Sequence, residues 1–136
     1  MGFTQAIYLV KTMIEIVEED LKRAKEAMES AERNFNENDI LTAANRAFVA
    51  CENTAYVMLK SKFGSTSVNG AKILTKLKDI NPSMKETYDR SYDLRVQADY
   101  GRESRYLPLN KENLAKVIKE VKRQLNEIEG SAKQES

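Results

Sequence analysis

The sequence predicts an all-α protein, an antiparallel bundle of four to five helices. Three observations carry that prediction. Apolar residues recur at steps of three and four through most of the chain, the spacing of one helix face. Only 5 Gly and 2 Pro interrupt 136 residues, which leaves little chain for irregular loops. The composition is 41% apolar and 32% charged, as expected of helices with one buried and one solvated face. No segment alternates with the period of a strand, and no internal repeat is visible.

The first helix is the clearest element. Ile7, Val10, Ile14, Val17, Leu21, Ala24, Met28, Ala31 and Phe35 form one stripe, with Glu18, Glu19, Asp20, Lys22 and Arg23 among the charged remainder. Asn36 to Asp39 breaks the pattern, and Asn38 or Asp39 can cap the next helix by accepting its unpaired amide protons. A second helix runs from about Ile40 to Lys62, with an apolar seam of Leu41, Ala44, Phe48, Cys51, Ala55 and Met58. Gly64 supplies its stop. A short third helix carries Ala71, Leu74, Leu77 and Ile80. Asn81 and Pro82 then restart the chain as cap and first helical residue. The fourth helix holds Met84, Tyr88, Ser91, Tyr92 and Arg95 and ends near Tyr100 and Gly101. After a connector containing Pro108, Asn110 caps a fifth helix seamed by Leu114, Val117, Ile118, Val121, Leu125 and Ile128. Gly130 onward reads as a polar, disordered tail over 130–136.

Helix one poses a geometric problem. From Ile7 to Phe35 it is about 43 Å long, whereas a domain of this size is only about 37 Å across. Either it is kinked or covered by helix five, or its first part overhangs as an extension over residues 1–20. An overhanging stripe of Phe3, Ile7, Val10, Ile14 and Val17 predicts self-association as a homodimer.

Composition excludes several chemistries. With no histidine, nucleophilic catalysis by Ser-His or Cys-His pairs is ruled out. One cysteine and no histidine leave no zinc ligand set, and no metal or other cofactor is expected. Cys51 lies on an apolar seam and reads as an inert thiol. The glycines lack phosphate-loop spacing. No apolar run approaches the roughly 20 residues of a membrane span, and the N-terminus has no signal-peptide pattern, so a cytoplasmic location is expected. Net charge is +1, but residues 1–40 carry −4 and residues 41–80 carry +4. No segment is basic enough to claim nucleic-acid binding on charge alone.

Polar residues beside the core are more informative. Asn45 and Glu52 share one line on helix two, and Arg46 and Asn53 the next. Charges near a helix interface must find partners. Arg95 is placed to meet Glu52, or Asp99 on its own next turn. The cluster reads either as a structural ion-pair network or as a polar cleft for a phosphate or nucleotide. Asp89 and Asp93 share a helix face and read as solvated, with Lys85 and Arg90. Tyr88, Tyr92, Tyr100 and Tyr106 lie near Arg90, Arg95, Arg102 and Arg105, either as packing residues or as a surface for bases and phosphates.

Four stretches together resemble the HEPN domain family: Leu21 to Met28, Asn45 to Ala50, Ser67 to Ala71, and Tyr92 to Gly101. The most specific is Leu94 to Gly101, which reads Leu-Arg-x-x-Ala-Asp-Tyr-Gly. The resemblance covers roughly residues 21–129 and implies a HEPN-like helical bundle, usually dimeric. It further implies a metal-independent ribonuclease in some members, typically a toxin, paired with a minimal nucleotidyltransferase as antitoxin. The family name records a nucleotide-binding role. Ribonuclease members carry Arg followed, after four to six residues, by His. Arg95 matches the Arg, while Tyr100, Gly101 and Arg102 stand where His is required. Tyrosine titrates near about 10 and arginine stays protonated, so neither does the work of imidazole at neutral pH. Some members are silenced by nucleotidylation of a tyrosine near the motif, which here places Tyr100 or Tyr106 as candidates.

These readings converge on a dimeric binding component of a nucleotidyltransferase or toxin–antitoxin type module, with no catalytic residue. Its ligand-binding candidates are Arg46, Glu52, Arg95, Asp99 and Tyr100. Its expected partners are a second copy, a minimal nucleotidyltransferase, and a nucleotide or RNA. The alternatives are a ribonuclease with a histidine-free site, using Arg95 with Asp99 or Tyr100, and a structural adaptor that docks through residues 3–20.

Overall fold

The computed structural model describes the backbone of residues 3–64 and 72–135, and side chains over 17–64 and 74–130. Five helices follow in order: α1 (Phe3–Asn36), α2 (Ile40–Phe63), α3 (Lys72–Ile80), α4 (Pro82–Tyr100) and α5 (Lys111–Glu135). Among the described residues there is no strand, and no helix is long and apolar enough to cross a membrane.

The predicted punctuation is present in detail. Asn38 takes a left-handed φ of 64° to turn the chain, and Asp39 then caps α2 by accepting from the Thr42 amide at 3.1 Å. Gly64 closes α2 with φ 92°. Asn81 accepts from the Met84 amide at 3.0 Å, with Pro82 opening α4. Gly101 ends α4 in the left-handed conformation, and its N–H bonds the Gln97 carbonyl at 3.1 Å. Ala71 of the expected third helix lies outside the described residues.

α2 is the central helix, packing against α1, α3, α4 and α5. Its buried set is wider than one seam: Ala43, Ala47, Ala50, Val57 and Leu59 join Ala44, Phe48, Cys51 and Ala55. The alanines allow neighbouring helices to approach closely. Leu41, expected on the seam, is 57% exposed in the first turn. A helix covered on several sides does not announce its buried face by one stripe. α1 and α5, covered on one side, match their predicted stripes from Leu21 to Phe35 and from Leu114 to Leu125.

Two expectations need correction. The stretch after Gly130 is not a disordered tail in backbone terms, since α5 continues to Glu135. One glycine in a helix costs only about 1 kcal/mol relative to alanine, and good helix formers follow it. Asp20, grouped with the charged face, is 3% exposed and accepts from Lys60 Nζ at 2.6 Å. Arg23 stands 3.7 Å from its other oxygen.

That pair also sets a register. Asp20 opposite Lys60 places Phe63 near Val17, while Lys25–Glu129 and Glu32–Lys122 place Glu135 near Glu19. Both α2 and α5 therefore run antiparallel to α1. The side chains of Phe3, Ile7, Val10 and Ile14 lie outside the described set, and Val17 is half-buried.

Lys60→Met is expected to lower stability by about 2 kcal/mol, because it strands the buried Asp20 carboxylate with only Arg23 nearby. Urea denaturation measures this. Asp20→Asn combined with Lys60→Met should recover part of the loss, and a single variant indistinguishable from the parent would show the pair to be energetically idle.

Candidate functional site

The sequence-derived candidates gather where α2 crosses α4. The caps at Asp39 and Asn81 start the two helices so that the first turns of α2 lie against the last turns of α4. Asn45 Nδ2 donates to Asp99 Oδ2 at 2.8 Å across this crossing. Arg95 Nε donates to the same oxygen at 3.3 Å. Arg46 turns its guanidinium onto Asn45 Oδ1 at 3.0 and 3.2 Å. The order is therefore Arg46, Asn45, Asp99, Arg95, a continuous polar chain over the helix crossing.

Phe48 is the floor of this chain. It is 1% exposed, and the Arg95 guanidinium lies 5.0 Å from its ring centroid. Tyr88 and Tyr92 meet the same ring edge-on, at 5.4 and 5.6 Å. Sequence reading placed Phe48 in the core but not as a platform. Only the crossing of α2 and α4 puts Arg95 above it.

Glu52 sits one turn beyond. Burial pushes its carboxyl pKa up, while the Arg95 charge and a hydrogen bond from Tyr56 pull it back. Arg95 spends its direct ion pair on Asp99, so the expected choice between Glu52 and Asp99 resolves in favour of Asp99. Beneath them, Cys51 is fully buried and burial raises its thiol to about 12, which removes it as a nucleophile at neutral pH.

Tyr100 does not join the group. It follows Asp99 by one residue, about 100° round the helix, and is 63% exposed with Arg102 5.6 Å from its ring. The other tyrosines divide as well. Tyr88 packs inward, whereas Tyr92 and Tyr106 remain 45% and 62% exposed.

Asp93 corrects the solvated-face reading. Asp89 does pair with Lys85. Asp93, one turn on, is 3% exposed and accepts three backbone bonds from the connector: Arg105 and Tyr106 at 2.9 Å and Leu107 at 3.1 Å. Gln97 adds two more, donating to the Leu107 carbonyl at 2.9 Å and accepting from the Leu109 amide at 2.8 Å. The connector is thus fastened to α4 by five hydrogen bonds. Burial raises the Asp93 pKa, but the amides of Tyr106, Leu107 and Arg105 and the Gln97 side chain outweigh it and hold the carboxyl below its ordinary 3.8. No sequence motif marks this role, because the three amides belong to a loop whose path the sequence does not reveal.

Chemically, the α2–α4 face is charge-balanced. Arg46 and Arg95 stand against Glu52 and Asp99. Both cross-helix and same-helix donors, Asn45 and Arg95, converge on one Asp99 oxygen, Oδ2. Among the described residues, no group of three or more Cys, Asp or Glu side chains is arranged to hold a metal ion.

A family model described as HEPN domain matches residues 17–131. No curated protein matches the chain.

Proposed function

This chain belongs to the HEPN domain family, and we propose that it acts as a binding component of a two-part module and not as a nuclease. Arg95 carries the reading. By its place in the Leu94 to Gly101 stretch it matches the family arginine, but its direct ion pair is with Asp99 and no imidazole follows it. An arginine so held orients a partner or ligand. It does not supply the proton transfers that strand cleavage needs.

In this reading the α2–α4 face, with Arg46, Glu52, Arg95 and Asp99, receives a minimal nucleotidyltransferase. The α1 stripe of Phe3, Ile7, Val10, Ile14 and Val17 joins two copies as a homodimer. The support for the second part is that the apolar stripe of α1 continues N-terminal to Asp20, beside which the last turn of α2 ends at Phe63. So short a stretch of helix is marginal in water by itself, so a second helix against its apolar stripe is the stabilising arrangement.

Sedimentation of the purified protein should give twice the chain mass, and Val10→Asp with Ile14→Asp should give a monomer that still melts cooperatively, with a helical signal reduced by no more than the first turns of α1. Pull-down of a nucleotidyltransferase should weaken at least about tenfold in Arg95→Ala, the scale of one charged interface contact. Structured and single-stranded RNA should remain intact. A monomer at every concentration that captures no nucleotidyltransferase defeats the proposal. RNA cleavage abolished by Arg95→Ala would instead establish the histidine-free ribonuclease.

A further inference from the structure

The connector fastened by Asp93 borders a groove of about 500 Å³ beside α4, roomy enough to enclose a side chain of a bound protein. Val96 and Leu74 give it an apolar lining, and Tyr92 and Tyr106 add aromatic surface. We propose that this groove is a second part of the partner surface on the α2–α4 face, and that it takes a large apolar side chain of the nucleotidyltransferase. The inference rests on the partner reading above and names what that partner inserts.

Charge decides what kind of occupant fits. Lys85 is paired with Asp89, and Asp93 is held by three connector amides. Arg102 lies over the Tyr100 ring, 5.6 Å from its centroid. Glu103 and Arg105 are left, each without an ion pair among the described residues and of opposite sign. A lining so balanced does not attract a phosphate or a polynucleotide, which bind to an excess of cations. What the groove has in excess is uncovered apolar surface. Tyr92 and Tyr106 are 45% and 62% exposed, beside Val96 and Leu74. Tyrosine in such a setting gains from an apolar side chain laid against its ring, and it is among the residues that dominate protein interfaces.

Continuity decides whose side chain it is. The Tyr92 ring meets Phe48 edge-on at 5.6 Å, and the Arg95 guanidinium lies 5.0 Å from the centroid of the same Phe48 ring. Arg95 and the groove therefore flank one aromatic pair, so a protein seated over Arg95 borders the groove directly. The groove is also formed in advance. Five hydrogen bonds from Asp93 and Gln97 fix the connector backbone, so little ordering opposes entry.

Calorimetric titration of the full chain with a purified minimal nucleotidyltransferase tests this. Tyr106→Ala should weaken binding at least about tenfold, with Tyr106→Phe close to the parent, because the ring surface and not the hydroxyl makes the contact. Glu103→Ala and Arg105→Ala should each stay within about threefold of the parent. Tyr106 is exposed and reaches Asp93 only through its backbone amide, so thermal melts should show every variant folded. A photoreactive benzophenone side chain at position 106 should cross-link to a large apolar residue of the nucleotidyltransferase. Truncating that residue to alanine should weaken binding to the parent but add little to Tyr106→Ala. Binding that Arg95→Ala weakens and Tyr106→Ala leaves unchanged overturns the groove and leaves the α2–α4 surface standing. A loss on Arg105→Ala as large as that on Tyr106→Ala, or cross-links confined to charged residues, overturns the apolar occupant. An oligoribonucleotide that displaces the nucleotidyltransferase and itself needs Tyr106 would assign the groove to nucleic acid and overturn it equally. A parent chain that binds no nucleotidyltransferase defeats the partner reading, and the groove falls with it.

Discussion

Replacing Phe48 with alanine should destabilise the protein by about 4 kcal/mol, the usual loss for a buried phenylalanine. For a domain of this length that is on the order of 15 °C in melting temperature. The reason is geometric. Phe48 is 1% exposed, its ring edge-packs against Tyr88 and Tyr92, and its face lies beneath the Arg95 guanidinium. Truncation opens a cavity where α2 and α4 cross and removes the surface on which Arg95 rests. Phe48→Leu separates the two effects. Leucine refills most of the volume, so stability should fall by only about 1.5 kcal/mol. It offers no π face, so the Arg95-dependent partner binding should weaken although the fold is kept. Urea denaturation with helical circular dichroism reads the first effect and the pull-down reads the second. A Phe48→Ala variant within about 1 kcal/mol of the parent would mean that the crossing repacks and that Phe48 is not its floor.

Asp93→Ala should cost about 3 kcal/mol, because it strands the amides of Arg105, Tyr106 and Leu107 without an acceptor. Asp93→Asn keeps one carbonyl oxygen and should cost less, although its amide group now faces donors. The contribution is also pH-dependent, with a definite sign. The folded carboxyl titrates below its ordinary 3.8. The charged form is therefore favoured by folding, and the stabilisation is fully present above the unfolded pKa. It is lost as pH falls through the folded pKa. The gap between the parent and Asp93→Asn should be constant near neutrality and shrink as pH drops below about 4. A gap that widened on acidification would contradict the assigned bonds.

Much of the architecture was legible before any coordinates. Ala24, Met28 and Ala31 of the α1 stripe and the seam from Leu114 to Leu125 are buried as their spacing predicts, with Leu21 and Phe35 half-buried against them. Asp39, Asn81, Gly64 and Gly101 punctuate the helices where the residue types require. These are local matters. A cap needs an oxygen three residues before an amide, and an amphipathic stripe needs only the period of its own helix. The family assignment was legible too, from the Leu94 to Gly101 stretch, and the match over residues 17–131 establishes it. The misreadings share a cause. Leu41, Asp20 and Asp93 were judged by their own helix, while their exposure is decided by neighbours distant in sequence.

By itself, then, the sequence determined the helices, their caps at Asp39 and Asn81, the family and the absence of imidazole, since each depends on residue identity and short-range spacing. The tertiary structure alone decided which side chains meet. Asp99 finds Asn45, and Arg95 the Phe48 ring, because α2 crosses α4 at that point. Asp93 turns from a surface charge into the anchor of the connector because the loop after α4 folds back over it. Contacts across 12 to 54 residues, from Asp93 to Arg105 and from Asn45 to Asp99, carry no local signature. They exist only when burial of the apolar faces has set the helices against one another.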